Sequence, residues 1–169
     1  MAQFREIKPS ELTENPFNLI GDEWMLIGAV KPDGSFNMMT ASWGMVGIMW
    51  GSPALNCLVR NTRYTFEFTE ASPRAAFSFF GDSCRNQLSL LGSKSGREID
   101  KMRSSGLTPV TDNGAVWFDE ARLVIIGRKL YAHNVAPGEF TVPDLCAKVY
   151  PKRDFHRIYT YEIEKVLIK

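Results

Sequence analysis

Residues 37–64 read Asn-Met-Met-Thr-Ala-Ser-Trp-Gly-Met-Val-Gly-Ile-Met-Trp-Gly-Ser-Pro-Ala-Leu-Asn-Cys-Leu-Val-Arg-Asn-Thr-Arg-Tyr. Two short extended runs, Phe36–Ser42 and Ala54–Arg60, flank a connection rich in Gly, Trp and Met. That connection is too apolar for an ordinary surface loop. Asn37, Thr40 and Ser42 set small polar groups among large apolar ones. Such a mixture suits a concave site for a flat, partly polar ligand: apolar walls hold the ring, while hydroxyl and backbone N–H groups orient it. The same pattern fits a strand pair joined by a buried aromatic loop, and periodicity alone leaves both readings open.

On the N-terminal side, Trp24–Val30 is a continuous apolar run that ends at Lys31-Pro32-Asp33-Gly34, a strong turn signal. With Phe36–Ser42 it predicts a β-hairpin. Residues 1–23, polar and broken by Pro9 and Pro16, read as an arm laid over the domain. On the C-terminal side, Tyr64, Phe66 and Phe68 alternate as in a strand, whereas Tyr64, Phe68 and Ala71 fit a helix. Thr62 as N-cap and Glu67 in an early turn favour the helix.

Ala75–Phe80 reads as a strand, Arg85–Leu91 as a short helix capped by Asp82 or Ser83 and stopped by Gly92, and Arg97–Ser104 as another helix ended by Gly106. Ala121–Leu130 is a long strand pattern, Val135–Pro143 a loop, Asp144–Tyr150 a weak helix, and His156–Ile168 the last strand. Strands dominate, and helices arrive singly rather than in strict alternation. This excludes a doubly wound sheet and predicts a mainly β, antiparallel barrel with a few covering helices.

The length, 169 residues, fits one domain spanning 1–169, with 1–23 as the arm. A formal charge of +1 gives no field that selects nucleic acid or a membrane surface. The start has no apolar core of signal-peptide length and no run spans a bilayer, so a cytoplasmic protein is expected. Cys57, Cys84 and Cys146 are widely spaced, which argues against a disulfide framework and a structural zinc site. Gly44, Gly47 and Gly51 lack the spacing and context of a dinucleotide fingerprint.

Two segments carry the chemistry of anion binding. Gly92-Ser93-Lys94-Ser95-Gly96 combines a pliable backbone, two hydroxyls and a charge, with the positive end of a helix expected near Arg97. Taken alone, a short Gly/Ser/Lys loop reads as a solvated connection. Arg60-Asn61-Thr62-Arg63 ends a strand and opens a helix; two close guanidinium groups need an anion, either a phosphate or carboxylates such as Glu67, Glu70 or Asp100. His156, beside aromatics, reads as a packed and hydrogen-bonded residue.

The ordered set Asn-x-Met-Thr-x-Ser-Trp-Gly (37–44), Val-Arg-x-x-Arg-Tyr-Thr (59–65), Ala-Phe-Ser-Phe-Phe (76–80), Gly-Ser-x-Ser-Gly-Arg-x-x-Asp-Lys (92–101), Glu-Ala-Arg-Leu (120–123) and His156 before the last strand resembles the flavin reductase-like proteins, and within them the flavoredoxin-like branch. The likeness covers roughly residues 24–167. It implies an FMN-binding split β-barrel that forms a homodimer with FMN near the dimer interface. Asn37, Met39, Thr40, Ala41, Ser42 and Trp43 would border the isoalloxazine ring, Arg60, Thr62 and Arg63 would reach the ribityl phosphate, and Ser93, Lys94 and Ser95 would close on the phosphate. Asn56, interrupting an apolar strand, departs from some relatives and bears on local barrel packing.

The activity the resemblance implies is an oxidoreductase, either an NAD(P)H-dependent flavin reductase or a flavoredoxin-type electron carrier that holds FMN tightly and passes electrons to a redox partner protein. NADH or NADPH would stack transiently on the flavin, which requires no Rossmann domain and no general acid. A barrel binding some other apolar phosphorylated ligand is the non-redox alternative.

Overall fold

The run Trp24–Val30 is apolar at every position because its strand is covered on both faces. In the computed structural model, which describes residues 3–169, β2 (Met25–Val30) pairs antiparallel with β3 (Phe36–Ala41) on one side and with β6 (Arg74–Phe79) on the other. Ile27, Phe77 and Ile125 face an inner core shared with Leu55, Cys57, Tyr159 and Tyr161. Leu26, Ala76 and Val124 face a second core beneath α2 (Arg85–Ser93) and a hairpin of β7 (Pro109–Asp112) and β8 (Ala115–Phe118). Strands buried on two faces lose the apolar–polar alternation of a half-buried strand.

The sheet runs β3-β2-β6-β9-β10-β5-β4, with β9 at Leu123–Asn134, β10 at His156–Ile168, β5 at Ser52–Arg60 and β4 at Gly44–Met49; β1 (Arg5–Ile7) pairs beside them on β10. Its two outer strands, β3 and β4, are consecutive in the chain and joined by Ser42 and Trp43 alone. Three Cα–Cα steps reach about 11 Å, so the sheet must curl until its ends nearly meet. The order contains no β3–β4 ladder, and the result is a barrel split along one seam. This antiparallel split barrel is the architecture expected from the sequence.

Several sequence expectations are corrected. The connection between the two runs is not a loop: Gly44–Met49 is strand β4, hairpinned to β5 through Trp50 (φ 50°) and Gly51 (φ 79°). A two-residue turn with both φ positive matches strand twist. Nor is this segment buried, since Met45, Ile48 and Trp50 are 60%, 73% and 65% exposed. The hairpin β7–β8 was not anticipated, although its turn, Asn113-Gly114, is the strongest short hairpin signal there is.

Helix α1 (Tyr64–Ala71) forms as expected, but Arg63 rather than Thr62 occupies the N-cap position. Helix α2 is entered from a 3-10 turn with Cys84 at its N-cap, not Asp82 or Ser83, and it runs through Gly92 to Ser93. Helix α3 spans Lys101–Ser105 rather than beginning near Arg97; Asp100 caps it and Gly106 ends it at φ 68°. Helix α4 (Leu145–Val149) lies in the loop between β9 and β10. The arm is pinned by β1 and by Arg122, whose guanidinium donates to both Glu14 and Glu23. Asn56 sits buried opposite Thr160 in an intact β5, so it does not interrupt the barrel. No helix among the described residues is long and apolar enough to cross a membrane.

Candidate functional site

The seam of the barrel is a cleft of about 260 Å³. One lip is the end of β3 and the link to β4: Met39, Thr40, Ala41, Ser42 and Trp43. The other is formed by Leu58 and Arg60 of β5 and by His156, which opens β10 directly across from Arg60. Arg63 closes one end, and it also lines a second cleft of about 180 Å³. That second cleft is bounded by Asn37, by Thr62 to Thr65 at the start of α1, by Ser93, Lys94 and Ser95, and by Glu98 and Lys101. Each of the twelve residues singled out from the sequence therefore lines one cleft or the other. Asn37 falls with the second group, not with the expected ring border.

The backbone of β3 is part of the first cleft's chemistry. Lys101 Nζ donates to the Met38 carbonyl, which must point away from β2. Along a strand the side on which a residue's N–H and C=O lie alternates, so Thr40, two residues on, also turns its N–H and C=O off the sheet edge. The Thr40 hydroxyl is engaged elsewhere, donating to Leu88 O of α2 at 2.6 Å. Backbone groups, with Ser42 beside them, are what this lip offers a planar polar ring.

Apart from Arg63, which it shares with the second cleft, the charge of the first cleft is balanced internally. Arg60 is ion-paired with Asp154, so neither Glu67, Glu70 nor Asp100 serves it; Glu67 instead pairs with Arg97 and Lys31, and Glu70 with Arg157. His156 is buried, its Nδ1 shares a hydrogen bond of 2.9 Å with the Tyr150 hydroxyl, and its ring lies 5.0 Å from that of Trp43. Burial, and then the Arg60 charge, push its pKa down to about 4, so the imidazole is neutral at physiological pH.

Charge in the second cleft is not balanced. Arg63 and Lys94 have no ion pair among the described residues, and burial together with Arg60 lowers the Arg63 pKa. Lys101 is 5% exposed and its ammonium bonds two carbonyls rather than an acid. The first turn of α1 adds backbone N–H groups and the positive end of its dipole. The segment Gly92–Gly96, by contrast, begins as the last two residues of α2 and leaves its C-terminal end, and α3 starts five residues beyond Gly96 with one short turn. The helix end expected at Arg97 is replaced by that of α1.

Local geometry fixes these positions. Asn37 Nδ2 donates to Thr65 Oγ1 at 2.9 Å, tying β3 to α1. A Cβ on Gly96 would stand 2.5 Å from Asn37 Oδ1, so a larger residue here would have to displace the buried Asn37 amide. Ser95 Oγ accepts the Arg97 N–H at 3.2 Å, and Ser93 Oγ donates back to Leu90 O at 3.3 Å. Sequence reasoning missed Leu58, Tyr64, Thr65, Glu98 and Lys101 as lining residues, whereas His156 is packed and hydrogen-bonded as expected and lines the seam as well. Strand period points to Leu58 once Arg60, two residues on, is assigned; no periodic signal marks Lys101.

No protein-family model and no curated protein matches the sequence significantly. Solved structures do match the fold. Flavoredoxin of Desulfovibrio vulgaris (Miyazaki F) aligns over 86% of this chain and 69% of its own, at 20% identity and a TM-score of 0.67. An FMN-binding domain of a flavin reductases-like enzyme from Shewanella baltica OS155 aligns over 98% and 77%, at 13% identity and 0.68. An FMN-binding protein from Thermus thermophilus, solved with bound p-hydroxybenzaldehyde, aligns over 100% and 82%, at 20% identity and 0.65. The chain is thus built on the split-barrel fold that these FMN-binding proteins share.

Proposed function

We propose that this protein binds FMN across the two clefts and acts as a flavin-dependent oxidoreductase, with NADH or NADPH as hydride donor. The observation that carries this reading is Arg63, shared by a cleft whose three cations make no ion pair among the described residues and by a seam where Met39, Ala41, Trp43 and Leu58 lie beside backbone donors. A molecule flat at one end and dianionic at the other fits that pair.

Met39, Ala41, Trp43 and Leu58 would wall the ring, Thr40 and Ser42 would orient it, and Arg63, Lys94 and the first turn of α1 would hold the phosphate. Bound FMN would supply the two-electron chemistry of hydride acceptance. The protein's own share is position and electrostatics: two planar rings held face to face gain most from proximity. His156, neutral and bonded to Tyr150, offers an uncharged wall that leaves the seam open to a second ring.

The burial of Lys101 at the second cleft favours a second reading, an electron carrier with tightly held FMN. The visible spectrum of the purified protein, followed by anaerobic addition of NADH and NADPH, separates these. Bleaching of the flavin band by either nucleotide supports the reductase, and a flavin-loaded protein that neither reduces is the carrier. A colourless protein that takes up no FMN overturns both.

The bare edge of β4, with Met45, Ile48 and Trp50 exposed, supports a two-fold homodimer, because an apolar sheet edge invites a partner. Sedimentation of the FMN-loaded protein as a monomer at micromolar concentration would overturn it.

A further inference from the structure

The loop between β9 and β10 carries an arginine where the backbone asks for glycine. Tyr150, Pro151, Lys152 and Arg153 form a tight turn, closed by the Arg153 N–H donating to Tyr150 O at 3.0 Å. A turn with proline second commonly takes glycine at its fourth position, and Arg153 stands there at φ 55°. A bulky residue in that region is strained, and such strain gathers where a side chain is used. The fold makes little use of this guanidinium. It lies 6.0 Å from the centre of the Phe155 ring and makes no hydrogen bond or ion pair among the described residues.

Two more cations stand close in the chain. Lys148, in the last turn of α4, and Lys152, in the turn itself, are exposed and have no ion pair among the described residues. The acids of the same loop do not offset them: Asp154 is spent on Arg60, while Glu139 and Asp144 lie before α4 and pair with none of the three. This cluster adjoins the seam. Tyr150, where the turn begins, hydrogen-bonds His156 and has the Arg60 guanidinium 5.5 Å from its ring centre, and Phe155 immediately precedes His156. Arg60 and His156 belong to the lip of the seam that faces β3.

We propose that Lys148, Lys152 and Arg153 form a subsite for the 2′-phosphate of NADPH, so that the adenosine end of the hydride donor lies over this turn and the protein prefers NADPH to NADH. This rests on the FMN reading above. In that reading the second cleft, beyond Arg63, is filled by the flavin's own phosphate. A nucleotide whose nicotinamide enters the seam must therefore lead its adenosine end out elsewhere, and over the lip of Arg60 and His156 it meets three unpaired cations. The 2′-phosphate is the one group that separates NADPH from NADH. It is a dianion for most of its population near neutral pH, and a guanidinium fork matches its oxygens.

The test titrates the flavin-loaded full chain with NADP+ and with NAD+, in wild type and in Arg153→Gly, and reads binding by calorimetry with no hydride transferred. Glycine adopts φ 55° without strain, so the variant keeps the turn. Wild type should bind NADP+ about tenfold more tightly than NAD+. The variant should lose most of that difference through NADP+ alone, with NAD+ changing by less than about twofold. Lys152→Ala, which removes an exposed and screened charge, should weaken NADP+ by about threefold. The preference should also shrink between 0.1 M and 1 M salt, as the Debye length falls from about 10 Å to about 3 Å. Equal binding of the two nucleotides by wild type, binding of neither, or an equal loss for both in Arg153→Gly overturns the proposal and leaves the FMN reading standing. Salt-sensitive binding of both nucleotides with no loss in the variant would mark a general surface for polyanions, such as an acidic protein would use, and overturns it as well. A chain that takes up no FMN removes the FMN reading and this subsite with it.

Discussion

The two clefts that meet at Arg63 treat charge in opposite ways. In the seam, Arg60 has Asp154 and His156 is held neutral by burial. In the second cleft, Arg63, Lys94 and Lys101 make no ion pair among the described residues, and Glu67 and Glu70 of the same α1 are spent on other cations. A chain with 19 acidic residues against 20 Lys and Arg does not lack counterions. Where it gathers three cations with no ion pair and only the exposed Glu98 beside them, an external dianion is the natural complement. Where it neutralises each group, an uncharged ring is.

The strongest way to break this contrast is through pH in the seam. His156 has a folded pKa near 4 against about 6.5 when unfolded. Between those values the unfolded chain binds more protons, so stability present above pH 6.5 is lost as pH falls toward 4. The term amounts to about 3 kcal/mol. Urea unfolding of wild type and His156→Gln across pH 4–7 should show a steeper acid decline in wild type. Parallel profiles would mean that the seam does not hold its histidine neutral.

Next in size is the residue common to both clefts. Replacing Arg63 by methionine keeps the stem and removes the guanidinium, which should weaken FMN by about 1.5–3 kcal/mol and leave riboflavin nearly unchanged. Stability of the flavin-free protein should not fall, because the lost group has no partner and stands beside Arg60. A clear drop in melting temperature without flavin, with FMN affinity retained, would make Arg63 structural and dissolve the contrast.

How far the sequence carried these conclusions depends on the kind of signal. Strand β10 was readable to its ends because Ile158, Tyr161, Ile163 and Val166 punctuate polar neighbours, and the β2–β3 hairpin because Pro32-Asp33-Gly34 demands a turn. Strand β4 was hidden: Gly44, Gly47, Trp50 and Gly51 resemble loop composition, and an exposed apolar edge makes sense as a strand only once β5 is beside it. The β7–β8 turn, by contrast, carries a local signal in Asn113-Gly114.

At the site, residue types were visible but their partners were not. Arg60 and Arg63 looked alike in sequence, yet Asp154, 94 residues away from Arg60, decides which one is neutralised. Lys101 gains its meaning from burial against two carbonyls, a tertiary fact with no local imprint.

The smallest expected effect tests where the second cleft ends. Lys94 follows the last turn of α2 and its side chain is exposed, with no ion pair among the described residues. Its backbone N–H donates to Leu90 O at 3.0 Å, so a substitution at the side chain leaves the helix end intact. Water screens an exposed ammonium, and truncation to alanine should weaken FMN by about 0.5–1 kcal/mol, less than at a desolvated cation. Screening gives the decisive control. The Debye length shrinks from about 10 Å at 0.1 M salt to about 3 Å at 1 M, so the difference between wild type and Lys94→Ala should vanish at high salt, while that of Arg63→Met persists. Unfolding of the flavin-free protein should be unchanged, because an exposed lysine contributes little to the core. Titrating FMN and riboflavin at both salt concentrations reads all of this at once. A Lys94 effect as large and as salt-resistant as that of Arg63 would mean that the loop closes over the phosphate and buries the lysine, and a Lys94 effect of equal size on riboflavin would remove it from the anion site.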